Sequence, residues 1–197
     1  MGLTVEKCLQ AWTNSLRQMN AKADIVFFGD SLTYYGDFAS VFPDKVVCNL
    51  GLRGDTIQGM IDRVELVRML KPEQVFLMAG INDVANRNSD DFESLYEELL
   101  SRMMVVLPNT DIIIQSMLPV NDIDFTISCS NKQILDKNII IHDLAERYKL
   151  VFFDLFRLFG NKGYLLKNMT NDGIHLTSQA YKEWYSFLEI NLIKYIV

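Results

Sequence analysis

Residues 25–32 read Ile25-Val26-Phe27-Phe28-Gly29-Asp30-Ser31-Leu32. Four apolar residues in a row, the first two β-branched, stop abruptly at a glycine, an acid and a serine. An apolar run of this length without polar alternation is the pattern of a strand covered on both faces, as in a parallel sheet. The pattern recurs at Val46–Asn49, Gln74–Ala79, Asp111–Ser116 and Leu150–Asp154, so that with Ile25–Phe28 there are five strand candidates. Amphipathic stretches surround them at Val5–Asn20, Thr56–Leu70, Asp91–Leu107, Asn131–Tyr148 and Ser178–Tyr195. In Asp91–Leu107, Phe92, Leu95, Tyr96, Leu99, Leu100 and Met103 form one stripe at three- and four-residue steps, with Glu93, Glu97, Glu98 and Arg102 elsewhere. This alternation predicts an α/β fold: a parallel sheet wound on both faces through right-handed crossovers.

Local signals agree with these boundaries. Asp55-Thr56-Ile57-Gln58 reads as a capping box and Thr177 as the N-cap of the last helix. Asp90, Asp91 and Glu93 place negative charge at a helix start, and Pro72 and Pro108 follow two helix ends. The longest irregular stretch is Leu118–Ser130, a length at which loops tend to carry function. With 197 residues, 49% of them hydrophobic, and no linker or repeat, the chain reads as a single domain, residues 1–197. A net charge of −6 and scattered basic residues argue against nucleic acid or an anionic membrane as partner. The three cysteines (Cys8, Cys48 and Cys129) lack disulfide or zinc spacing and read as small apolar residues.

In a parallel sheet, ligands gather beyond the carboxyl ends of the strands. The segments there are Gly29-Asp30-Ser31-Leu32, Asn49-Leu50-Gly51-Leu52-Arg53-Gly54-Asp55-Thr56 and Gly80-Ile81-Asn82-Asp83, with Asp172-Gly173-Ile174-His175-Leu176 near the C-terminus. In these four blocks the chain resembles the SGNH (GDSL) hydrolase family of esterases and lipases, from about Ile25 to Tyr181. The resemblance implies a three-layer α/β/α sandwich of flavodoxin-like type. It also implies a Ser31–His175–Asp172 catalytic triad. The oxyanion hole it implies consists of the Ser31 N–H, the Gly54 N–H and the Asn82 side-chain amide. No cofactor or metal is expected.

The chemistry of the residues is consistent with this. A serine hydroxyl needs an adjacent base, and histidine, with a reference pKa of roughly 6.5, can both take and return a proton at neutral pH. His175 follows Asp172 by three residues, within reach of a carboxylate that fixes its tautomer. Each residue has another reading. Ser31 could be a helix cap, Asn82 a turn residue, and Gly51 could replace Gly54 as the oxyanion glycine. Asp83, Asp172 and His175 could instead be metal ligands. His142 reads as a surface or half-buried helix residue. Asp30 and Asp83 read as acceptors that fix loops.

The cleft rim is drawn from Tyr34, Tyr35, Phe38, Arg53, Asn86, Arg87, Asn88, Asn121, Asp122 and Phe125, with Tyr34, Arg53 and Arg87 as substrate-binding candidates. Arg53 would engage an anion or else pair with Asp55 or Asp37. A short chain without an obvious lid suits short acyl esters, acetyl foremost, of a carbohydrate or small metabolite. Lysophospholipase, thioesterase and non-catalytic binding readings stand as alternatives. The start MGLTVEKCLQ has no leader pattern, and Glu6 stands where a myristoylation signal wants Ser or Thr. As written the chain is expected in the cytoplasm, or secreted or periplasmic if a leader has been removed. A homo-oligomer is left open.

Overall fold

β1 (Ile25–Gly29) pairs in parallel with β2 (Val47–Gly51) on one side and β3 (Gln74–Met78) on the other. β4 (Asp111–Gln115) and β5 (Val151–Phe153) extend the sheet, giving the order β2-β1-β3-β4-β5. The structure, a computed structural model, describes residues 14, 21–86, 91–160 and 162–192. The expected helix Val5–Asn20 lies outside the described residues except for Asn14, and so does the end of the last helix beyond Leu192.

Each strand sends alternate residues to opposite faces. Val26, Phe28, Val75, Leu77, Ile112 and Ile114 meet one layer, made by α2 (Ile57–Leu70), α4 (Phe92–Val106) and α5 (Asn131–Tyr148). Ile25, Phe27, Phe76, Met78, Ile113 and Phe153 face the other. That layer holds a 3-10 turn (Phe38–Val41), α6 (Leu155–Phe159) and α7 (Ser178–Leu192). At its centre Phe27 stacks between Phe38 (3.8 Å) and Phe76 (4.6 Å), and Trp184 donates to Gln115 Oε1 at 2.9 Å. Each large side chain buried here contributes roughly 1.5–3 kcal/mol. The result is the α/β/α sandwich with five parallel strands that the sequence predicts.

Within the described residues the expected long elements are present, shifted by a residue or two at their ends. Three short helices at strand ends, α1 (Ser31–Tyr34), α3 (Ile81–Ala85) and α6, are additions. None is long enough to show periodicity. One cap is corrected: the N-cap of α2 is Thr56, whose side chain accepts from Gly59 N–H. Asp55 is drawn elsewhere by a buried arginine. Thr177 caps α7 through the Ala180 N–H, and α5 has a full capping box between Ser130 and Gln133.

The chain leaves β1 for β2 on one side and later returns to β3 on the other. The segments leaving β1 and β3 therefore diverge, and a crevice opens between them at the carboxyl edge. Among the described residues no helix is long and apolar enough to cross a membrane.

Candidate active site

Ser31 is the first residue of α1, and its cap is Asp30, whose buried carboxylate accepts the Leu32 N–H at 2.9 Å. Asp30 thus takes the capping role open to Ser31 and leaves the serine hydroxyl free to point away from the helix. The Ser31 N–H, in the first turn, has no acceptor within the helix. Burial pushes the Asp30 carboxyl up to about 7, against the opposing Leu32 hydrogen bond.

The partner of Ser31 comes from 144 residues further along. Ser31 Oγ lies 2.9 Å from His175 Nε2, and His175 Nδ1 lies 2.6 Å from Asp172 Oδ2. A carboxylate against Nδ1 makes that nitrogen the N–H donor, so Nε2 is the acceptor for the serine hydroxyl. Partial burial works against ionised Asp172. Hydrogen bonds from the His175 side chain and the His175 and Ile174 N–H groups outweigh it and hold the carboxyl below its usual range.

The loop bearing this pair is tied down at several points. Thr170 Oγ1 donates to His175 O and accepts from Gly173 N–H, while the Asn121 N–H donates to Gly173 O at 2.8 Å. Tyr181 on α7 donates to Leu32 O at 2.7 Å, joining the histidine segment to α1.

The opposite wall of the crevice comes from the β2–α2 loop and α3. Gly54 has φ +72, and a Cβ added there would meet nothing within 4 Å. The glycine is required by backbone conformation, not by crowding. Gly51 differs: a Cβ there would fall 2.2 Å from Tyr34 N, so this glycine lets β2 pass beneath α1. Asn82 Nδ2 donates to Asp55 O at 2.8 Å, which leaves the second amide hydrogen for the cleft. Asp83 accepts the Ile57 N–H, and burial lifts its carboxyl to about 6. Ser31, Gly54, Asn82 and His175 line one cleft of about 470 Å³, with Ile81, Ala85 and Ile174 as its apolar walls.

One buried residue organises this wall and was missed in the sequence. Arg63, only 2% exposed, donates to Asp55 Oδ2 (2.7 Å), Leu50 O (2.6 Å) and Gly29 O (2.9 Å). A single guanidinium thus spans the carboxyl ends of β1 and β2 and holds the residue whose carbonyl positions Asn82. Burial pushes the Asp55 carboxyl up and the Arg63 guanidinium down, and each is countered by the other's charge. The signal in the sequence was a cation inside the apolar stripe of α2, beside Met60, Val64 and Val67.

Other sequence-predicted positions divide. Tyr34 and Tyr35 are exposed, Tyr35 on a cleft shared with His175 that Tyr34 does not line, and Arg53 lies over the Tyr35 ring at 5.7 Å. Its suggested partner Asp55 is taken by Arg63. Phe38 is corrected from rim to core, at 1% exposure, because it stacks on Phe27. Asn121, 0% exposed, is corrected likewise: its side chain accepts from the Ile123 and Asp124 N–H groups and its backbone holds the Asp172 loop. Asp122 accepts from Asn131 Nδ2, bracing the Leu118–Ser130 loop. Arg87 and Asn88 lie outside the described residues. His142 is half-exposed on α5 against Phe152. Asp83 faces Ile57 while Asp172 faces His175, so these do not converge as metal ligands. Among the described residues such atoms cluster only at exposed His142, Asp143 and Glu146.

A hydroxyl bonded to an imidazole that is itself bonded to a carboxylate can lose its proton as it attacks an electrophilic carbon. Comparison with known proteins points the same way. No curated protein is similar enough to match. A structure from Streptococcus pneumonia named for platelet activating factor is 25% identical, with TM-score 0.82 over 93% of this chain and 92% of that chain. A GDSL-like lipase from Bacteroides thetaiotaomicron is 21% identical, with TM-score 0.74 over 94% and 97%. An acetyl xylan esterase is 20% identical, with TM-score 0.70 over 88% and 99%. The family described as GDSL-like Lipase/Acylhydrolase matches residues 27–183. That stretch runs from β1 into α7 and includes both walls of the crevice, and the chain belongs to the GDSL-like lipase/acylhydrolase family.

Proposed function

We propose that this protein is a serine ester hydrolase that works through an acyl-enzyme on short-chain esters, acetyl esters foremost, of a carbohydrate or small metabolite. The observation that carries the reading is the chain of contacts Ser31 Oγ–His175 Nε2–Asp172, at 2.9 and 2.6 Å. Ser31 Oγ attacks the ester carbonyl carbon while its proton passes to Nε2, and Asp172 stabilises the imidazolium. The carbonyl oxygen becomes an oxyanion that accepts from the Ser31 N–H, the Gly54 N–H and the free hydrogen of Asn82 Nδ2. The tetrahedral intermediate then collapses, its bond to the alcohol oxygen breaks, and Nε2–H gives that oxygen its proton. Water repeats the sequence: it yields a proton to Nε2, attacks the acyl carbon and frees Ser31 Oγ, which recovers the proton as the acid departs.

The small apolar walls of Ile81, Ala85 and Ile174 suit a short acyl group. The likeness to an acetyl xylan esterase favours the same class, at an identity that speaks for the fold. Hydrolysis of p-nitrophenyl esters from two to sixteen carbons tests the reading. We expect the highest kcat/KM at the short end and no turnover by Ser31→Ala. An optimum above about eight carbons would favour the lysophospholipase or thioesterase reading. Equal rates with Ser31→Ala would remove the nucleophile.

A further inference from the structure

We propose that Arg53 sets the specificity of this site, and that the alcohol portion of the substrate carries an anionic group, a carboxylate or a phosphate. The inference rests on the ester-hydrolase reading and adds to it the charge of the substrate.

Arg53 is exposed on the β2–α2 loop, immediately before Gly54. Its guanidinium carbon sits 5.7 Å from the Tyr35 ring centre, and the same ring meets the His175 imidazole edge-on at 5.6 Å. Two clefts meet at this side chain. The first is the 470 Å³ cleft of Ser31, Gly54 and Asn82 with its apolar walls. The second, about 730 Å³, extends past His175 along Tyr35, Asn171, Thr177 and Gln179. The leaving oxygen takes its proton from His175 Nε2, so the alcohol belongs on the imidazole side, in the wider polar cleft. The acyl group belongs in the small apolar one. Arg53 stands where the two join, with Tyr35 as a flat surface between it and the imidazole.

The charges around the second cleft single out Arg53. Asp172 is committed to the imidazole and to two N–H groups. Among the described residues no carboxylate lies within ion-pair distance of Arg53, and nearby Asp55 is held by Arg63. The group left to meet the alcohol is therefore a planar cation whose paired donors match carboxylate and phosphate oxygens. Exposure makes the contact sensitive to salt.

Three matched substrates test this: an acetylated methyl glucoside, its 6-carboxylate counterpart and its 6-phosphate, each acetylated at the same secondary hydroxyl. We expect kcat/KM for at least one anion to exceed the neutral ester by about tenfold or more at low salt. The ratio should fall toward one in Arg53→Gln, survive in part in Arg53→Lys, and shrink with added salt. The better anion identifies whether carboxylate or phosphate is the natural group. A ratio near one in a protein that a fluorophosphonate labels at Ser31, or a ratio unchanged by Arg53→Gln, overturns the Arg53 assignment alone. A protein that is neither labelled nor active on any of the three overturns the hydrolase reading and this assignment with it.

Discussion

Asn82 illustrates how single residues in this site divide their work: one amide hydrogen fixes the side chain on Asp55 O, and the other remains for chemistry. Asn82→Ala should lower kcat by about 10²–10³ with little change in KM, because the lost contact matters most in the transition state. Steady-state kinetics on a short ester would show it, and an equal rise in KM at constant kcat would contradict it. Asp30 gives a prediction in pH. Its carboxyl is raised to about 7 in the folded protein, so the native state holds a proton that the unfolded chain has lost. Its contribution to stability is full below about pH 4 and is lost as pH rises through 7, by up to a few kcal/mol. Asp30→Asn keeps an acceptor for the Leu32 N–H without the titration. Urea unfolding of the two proteins should show the wild type losing stability relative to the variant between pH 4 and 7. A constant difference across that range would count against a buried, titrating carboxyl. Ser31, Asp172 and His175, whose side chains the structure brings together, were legible as candidates because the blocks that hold them match the family the chain resembles. Asn121 and Phe38 were misread as rim because residues in loops look alike until one knows which loop folds inward.

At the scale of elements, the crevice depends on how α2 is fastened beneath β1 and β2. Arg63→Met would leave the buried Asp55 carboxylate without its cation and remove the guanidinium's hydrogen bonds to the carbonyls of Gly29 and Leu50. We expect a loss on the order of 3–5 kcal/mol in urea denaturation. Adding Asp55→Asn should recover part of it, since the two residues share one interaction. A loss below about 1 kcal/mol would mean that the guanidinium is not the fastening. Helices α2, α4, α5 and α7 were legible from periodicity because each buries a long stripe. Helices α1 and α3, four and five residues long, carry no period. Their existence depends on tertiary bonds such as Tyr181 to Leu32 O. The cap of α2 went to Thr56 because the attraction of Arg63 for Asp55 outweighs a capping bond, a choice that local sequence does not display.

For the whole molecule, the apolar runs predict a parallel five-stranded sheet but not its order, since continuous apolar runs carry no information on neighbours; only the resemblance to a flavodoxin-like fold implied it. The order β2-β1-β3-β4-β5 matters, because it puts the reversal between β1 and β3, with Ser31 after one and Asn82 after the other. The long connection from α6 to α7 then brings Asp172 and His175 to the same edge. The central claim is that this convergence makes Ser31 a nucleophile. Its most direct test is treatment with a fluorophosphonate, followed by intact-mass measurement and peptide mapping. The account predicts one adduct per chain, on Ser31, formed slowly or not at all in His175→Ala and absent in Ser31→Ala. An unlabelled wild-type protein, or an adduct at another residue that persists in Ser31→Ala, would contradict it.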